Sequence, residues 1–154
     1  MGELHAYMTE LLNTASMLLF GRVSYELLRG YWPGVAQTGK GDGALVEFAR
    51  RLEGKQKLVV TSSELTSGWN SSRVTLGPNG ETVRTLKEQT AGVLLLVASP
   101  TLARTLFELG LIDEYHLAIQ PIFAGRGPTF LAGLKTPVRA SLHDMRRLSL
   151  RPGS

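Results

Sequence analysis

The chain of 154 residues contains no cysteine. This absence excludes disulfides, thiolate metal sites and cysteine nucleophiles. No apolar stretch approaches the ~20 residues that a membrane-spanning helix needs. Residues 1–13 also lack the basic segment and the apolar core of a signal peptide. We therefore expect a soluble protein of the cytoplasm that has no membrane partner.

The chain also lacks a concentration of charge. Its net charge is +4, and no run of Lys or Arg with interleaved aromatics marks a nucleic-acid module. The densest basic cluster consists of Arg139, Arg146, Arg147 and Arg151. We expect no nucleic-acid partner.

Histidine is scarce as well. His5, His116 and His143 have no metal-ligand spacing with one another or with carboxylates. The sequence therefore predicts no metal site.

What remains is an ordinary globular composition, with 43% hydrophobic and 19% charged residues. Such a balance argues against disorder, and the length is enough to bury one core. The sequence contains no internal repeat and no linker between two cores. We expect a single domain over residues 1–154.

Apolar spacing along the chain predicts alternating helices and strands. The predicted helices cover 4–12, 23–29, 48–52, 81–89 and 101–109, and the predicted strands cover 16–20, 57–61, 71–76, 93–97, 115–120 and part of 139–150. The glycine-rich piece 34–43 is predicted to be a loop. The pattern indicates an α/β fold, with a mostly parallel sheet, helices on both faces and an antiparallel C-terminal edge.

Ligands of such sheets bind beyond the carboxyl ends of the strands. Three predicted loops lie at such ends: residues 21–24, 61–63 and 98–101. We expect the functional site to be formed there.

Several segments carry a family resemblance, in order and with compatible spacing from about residue 11 to 148. They are LLFGRVSYE (18–26), GYWP (30–33), KLVVTSS (57–63), WNS (69–71), TLAR (101–104), GLIDE (110–114) and PIFAGRGPTFL (121–131). Together they resemble the dihydrofolate reductase-like family of nicotinamide-dependent reductases. The chain is most similar to stand-alone relatives of the reductase domain at the C-terminus of the riboflavin-biosynthesis deaminase-reductase.

The resemblance implies a dihydrofolate reductase-like fold and hydride transfer from NADPH. The substrate would be a pteridine- or pyrimidine-like heterocycle, as for dihydrofolate reductase or 5-amino-6-(5-phosphoribosylamino)uracil reductase. A non-catalytic dimeric relative that kept the fold and lost the active site is the alternative. One fold can host several chemistries, and the choice between NADPH and NADH stays open.

Gly21, Arg22 and Ser24 are the first candidates for cofactor contact. They lie at a strand-to-helix turn, where free N–H groups and a partial positive charge suit phosphate. Gly21 would let the backbone approach the ligand, Arg22 would add charge and Ser24 a hydroxyl. The alternative is a glycine that ends a strand and an arginine on a solvated helix face.

The resemblance places Thr61, Ser62 and Ser63 on the adenine–ribose side of the cofactor. A hydroxyl-rich turn that caps the next element is an equal alternative.

The resemblance assigns Ala98, Ser99, Thr101 and Leu102 to the turn beside the pyrophosphate and nicotinamide. Relatives usually carry glycine in this turn. Alanine penalises a positive φ, and Pro100 removes one N–H. Ser99 and Thr101 still have hydroxyl and N–H groups, so we expect the site to be weakened or reshaped.

Four residues are candidates for substrate contact. Gly125 and Gly127 would allow close approach and Arg126 would meet an anionic group, although a tight turn is equally compatible. Trp32 could stack on a flat heterocycle, although core packing suits it better.

Relatives begin with a strand that ends in an "S-L-D-G"-like segment, and they end in a longer strand pair. We expect that strand and part of the pair to be missing here. A short relative, a mis-assigned gene start and a partner chain over the exposed surface are three explanations, and the last predicts a homodimer. No catalytic proton donor can be named, so the proton would come from solvent.

Overall fold

The computed structural model describes residues 2–65, 68–127, 131 and 133–148. Helices and strands alternate over the first two thirds of the chain. In order they are α1 (Gly2–Thr14), β1 (Ala15–Gly21), α2 (Arg22–Arg29), α3 (Trp32–Thr38), α4 (Gly43–Gly54), β2 (Lys57–Val60), β3 (Ser71–Val74), α5 (Glu81–Gln89), β4 (Val93–Leu96) and α6 (Pro100–Glu108). A short 3-10 turn, Pro78–Gly80, precedes α5.

The four strands form one parallel sheet in the order β3-β2-β1-β4. β1 lies between two partners, with Phe20 opposite Val59 on one side and Leu19 opposite Leu96 on the other. Because all four strands run the same way, their carboxyl ends share one edge of the sheet. This edge carries the turns that follow β1, β2 and β4.

Each face of the sheet packs on its own helices. Leu18 and Phe20 point into a core that α1, α2, α3 and α4 cover. Leu19 points the other way, into a core that α5 and α6 cover. The strand is thus buried on both faces, as parallel strands are. The α/β class with helices on both faces is confirmed.

Lys57, at the start of β2, is a fully buried cation. Its Nζ donates to the carbonyl oxygens of Lys55, at 2.8 Å, and Glu53, at 3.3 Å. It also lies 4.5 Å from the centre of the Trp69 ring. Burial lowers the pKa of Lys57 to about 8, and the charge of Glu53 opposes that shift.

The prediction of a loop over 34–43 is wrong for its first half. Residues 34–38 belong to α3, and only 39–42 connect it to α4. Pro33 lies in the first turn of α3, where proline is tolerated. Val35 and Ala36 are buried, and their burial stabilises the helix. The glycine content of the segment had indicated a loop instead. Gly39 then ends α3 with a φ of 63°.

The predicted strands after Asp113 are also not observed in the part of the chain that the structure describes. Residues 115–120 and 139–148 form neither helix nor strand, and residues 149–150 lie outside the described residues. A strand needs a neighbour that accepts and donates ladder hydrogen bonds. In the described sheet, β4 is an edge strand whose strand partner is β1. The antiparallel C-terminal edge is therefore absent from the described sheet.

No helix among the described residues is long and apolar enough to cross a membrane.

Candidate functional site

Two helix N-termini meet at the carboxyl edge of the sheet. α2 begins directly after β1, with Gly21 as its N-cap, and α6 begins after β4, with Ser99 as its N-cap. Neither N-cap residue makes a side-chain capping hydrogen bond to the first turn of its own helix. The first-turn amides therefore keep unsatisfied donors, and both helix dipoles direct positive charge to this edge.

Serine side chains tie the two turns together. The Gly21 N–H donates to Ser99 Oγ at 2.8 Å, and the Ser99 N–H donates to Ser24 Oγ at 2.9 Å. Ser99 Oγ in turn donates to the carbonyl oxygen of Val97 at 2.9 Å. Ser99 is only 4% exposed. Its hydroxyl and its N–H are both used inside the protein, so Ser99 fixes the turn, whereas the sequence suggested that it offers these groups to a ligand.

The turn between β4 and α6 is strained in the way the sequence suggests. Ala98 has a φ of 52° and Ser99 a φ of 58°. Two successive non-glycine residues thus adopt the left-handed conformation, which costs roughly 1–2 kcal/mol for each. The hydrogen bonds of Ser99 help to hold this geometry.

Gly21, by contrast, has no conformational need to be glycine. Its φ of −79° and ψ of 161° are open to any residue. A Cβ at this position would lie 3.6 Å from Ser99 Cβ and 3.7 Å from Leu102 Cβ, which are ordinary contacts. The position that a Gly21 side chain would take thus faces the first turn of α6, at Ser99 and Leu102.

The candidate residues around the two turns differ in which of their groups are accessible to a ligand. Arg22 and Thr101 are exposed, and Arg22 makes no ion pair with any residue that the structure describes. Leu102 packs in the core beneath α6, so only its backbone N–H faces the turn. Pro100 begins α6 and contributes no N–H.

The third loop at this edge follows β2. Thr61 N–H donates to the carbonyl oxygen of Val74 at 2.9 Å, and the Ser63 N–H donates to Thr61 Oγ1 at 3.1 Å. Ser62 and Ser63 are exposed. Arg73, which no sequence pattern singles out, donates from Nη1 to the carbonyl oxygens of Ser62 and Ser63.

The candidates for substrate contact lie elsewhere. Trp32 is 9% exposed and packs edge-on against Phe48, with ring centres 4.7 Å apart. The structure therefore places it in the core, the alternative that the sequence favoured. Gly125, Arg126 and Gly127 are exposed, and a Cβ at either glycine would meet nothing within 4 Å.

A wide cavity of about 2530 Å³ lies away from these turns. Residues of α1, of α6 and of the segments 112–121, 133–136 and 138–148 line it. None of the predicted cofactor or substrate residues lies in its wall. On its wall, Tyr7 Oη lies 2.6 Å from His116 Nδ1, and His116 Nε2 lies 2.8 Å from Glu114 Oε1. Both bonds are available to neutral and to protonated His116, because Tyr7 can donate or accept.

No group of three His, Asp or Glu side chains in the described part of the chain could hold a metal ion.

Comparison with known proteins supports the resemblance found in the sequence. The family model described as the RibD C-terminal domain matches residues 1–151. An uncharacterized protein of Bacillus subtilis (strain 168), YyaP, is 25% identical over 142 residues, which cover 92% of this chain and 72% of that protein. The dihydrofolate reductase-like α/β fold and the nearest branch are thus confirmed: the chain belongs to the RibD C-terminal domain family, a reductase-type family that generally uses NADPH.

Proposed function

We propose that the protein is an NADPH-dependent reductase that transfers a hydride to a pteridine- or pyrimidine-like ring. The observation that carries the proposal is the pair of uncapped helix N-termini at the ends of β1 and β4. Such a pair favours a diphosphate, since each terminus offers amide donors and a partial positive charge. Membership of a reductase-type family supplies the class of cofactor.

The residues around the turns fit the phosphates of a dinucleotide. The first-turn amides of α2 would hold one phosphate, with Arg22 adding a full positive charge. The amides of Thr101 and Leu102 would hold the other, because the N–H of Ser99 is already used. The lack of a side chain at Gly21 would let the diphosphate approach the backbone between the two turns.

When bound, NADPH supplies the hydride. The chain's own contribution is to orient the nicotinamide from a turn that its internal hydrogen bonds keep rigid. The adenosine half would lie over the turn of Thr61, Ser62 and Ser63, where the exposed hydroxyls of Ser62 and Ser63 can meet the ribose. Arg126, between Gly125 and Gly127, would meet an anionic group of the substrate, and solvent would supply the proton.

A second candidate function rests on the surface after Asp113. Several large apolar side chains there are mostly exposed, among them Ile119 (89%), Phe123, Leu142 and Met145. Exposed apolar side chains mark interaction sites in folded proteins when they lie together in one patch. We propose that this surface is the interface of a homodimer, and a dimer without turnover would make the protein the non-catalytic relative.

Turnover separates the two candidates. The assay would measure NADPH oxidation as the loss of nicotinamide absorbance. Dihydropteridines and ribosylated aminopyrimidines would be offered as substrates. Light scattering would report the oligomeric state in parallel. We expect turnover with one class and a KM for NADPH that Arg22→Ala raises at least about fivefold, or about 1 kcal/mol.

Arg50→Ala is the matched control, because Arg50 is an exposed arginine on α4, a helix that packs on α1 and α3. It should leave KM unchanged. A protein that binds NADPH without turnover is reduced to a binding function, and one that binds no nicotinamide nucleotide refutes the proposal.

A further inference from the structure

Arg73 holds the turn after β2 in an unusual way. Its Nη1 donates to two successive carbonyl oxygens, those of Ser62 at 3.2 Å and Ser63 at 3.4 Å. Only this one nitrogen is used: Nε and Nη2 make no hydrogen bond to any described residue. The side chain is exposed, so donors remain in a guanidinium that is already held in place.

The register of the sheet gives the direction of this side chain. Arg73 lies opposite Val59, and Val59 lies opposite Phe20. Directly opposed residues of parallel strands point to the same face of a sheet. Phe20 and Val59 point into the core that α2 covers, so Arg73 lies on the face that carries α2 and Arg22.

The charge of Arg73 has no counter-ion in the described part of the chain. Arg51, Arg104 and Arg146, by contrast, each form an ion pair with a carboxylate. Arg73 instead contacts neutral carbonyls, although Glu64 is next in sequence to the turn. An arginine with spare donors and no acid partner is suited to an anionic ligand group, which the planar fork can bind through two bonds.

We infer that Arg73 sets the preference for NADPH over NADH by presenting its free donors to the 2′-phosphate of the adenosine half. The inference rests on the proposed function, which places that half over the turn of Thr61, Ser62 and Ser63. The contacts with Ser62 and Ser63 position the guanidinium before the ligand arrives, so little side-chain freedom is lost on binding. Arg73 acts on the choice of nucleotide and takes no part in hydride transfer.

The test measures Kd for NADPH and for NADH by nucleotide fluorescence on the full chain. Arg73→Met removes the charge and the fork, and Arg73→Lys keeps the charge alone. Arg84→Met is the matched control, because Arg84 is an exposed arginine that also donates to one loop carbonyl, that of Asn79 at 3.2 Å. Thermal unfolding of each variant checks that the fold persists.

We expect Arg73→Met to weaken NADPH binding at least about tenfold and NADH binding less than about twofold. Arg73→Lys should recover part of the NADPH affinity, and Arg84→Met should change neither Kd. Calorimetry with 2′-phospho-AMP and with AMP should show the same contrast, independently of the nicotinamide.

Two results overturn the inference and leave the proposed function standing. One is an equal loss of NADPH and NADH affinity in Arg73→Met, which assigns Arg73 to shaping the turn alone. The other is a wild-type protein that binds NADH as tightly as NADPH. Failure of the wild type to bind either nucleotide refutes the proposed function itself.

Discussion

Replacement of Ser99 by alanine tests the link between the two helix N-termini. The change removes the acceptor of the Gly21 N–H and the donor to the Val97 carbonyl, while Ser99 is almost fully buried. Each neutral hydrogen bond contributes about 1 kcal/mol net, and a group left unsatisfied in the interior costs more. We expect Ser99→Ala to lower the free energy of unfolding by about 2 kcal/mol.

Urea denaturation followed by circular dichroism measures this loss, and thermal unfolding should show a Tm lower by about 4–8 °C. Ser72→Ala is the matched control, because Ser72 is exposed on β3 and its side chain makes no hydrogen bond within the described chain. That variant should change stability by less than about 0.5 kcal/mol.

Ser99→Gly sharpens the test. It removes the same hydroxyl but relieves the positive φ of 58°. The free energy of unfolding of Ser99→Gly should therefore be about 1 kcal/mol higher than that of Ser99→Ala. A loss below about 0.5 kcal/mol in Ser99→Ala, or a glycine variant less stable than the alanine variant, would refute the reasoning.

Three further predictions concern stability and binding. Ala98→Gly should raise the free energy of unfolding by about 1 kcal/mol, because φ is 52° there; urea denaturation that shows a loss contradicts this. Gly21→Ala should change Tm by less than about 2 °C yet weaken NADPH binding in a fluorescence titration, whereas unchanged affinity argues against close approach. Relative to Lys57→Met, the wild type should gain stability as pH rises from about 8 towards 10.5, because burial lowers the pKa of Lys57 in the folded state alone. If the free energies of unfolding of the two proteins change in parallel with pH, this prediction is contradicted.

The sequence predicted the elements whose spacing repeats along the chain. α5 has the predicted bounds, and the opening helix and the four observed strands overlap the predicted ones. These segments are ones in which local pattern and tertiary packing agree, since each apolar stripe faces one of the two cores.

The errors arise where structure depends on distant partners. α3 was hidden by its glycine and proline content and is held by burial of Val35 and Ala36. Residues 115–120 carry a strand-like pattern, yet Leu117 and Ile119 are exposed because no described neighbour pairs with them. Propensity cannot supply a missing ladder partner.

The sequence predicted the location of the candidate site but not the contacts within it. The sequence located the three turns at the carboxyl ends of β1, β2 and β4. It could not show that Ser24 and Ser99, 75 positions apart, bind each other. It also gave no signal for Arg73, because an exposed arginine on an edge strand has no distinguishing pattern.

Amide hydrogen exchange with and without NADPH tests the central claim most directly, because it locates the ligand on the chain. Bound NADPH should protect the first turn of α2, residues 22–24, and the amides of Thr101 and Leu102, with a smaller effect at residues 61–63. Exchange in the exposed segment 139–148 should not change. Protection confined to the cavity between α1 and α6, or none at either helix N-terminus at saturating NADPH, would contradict the proposed site.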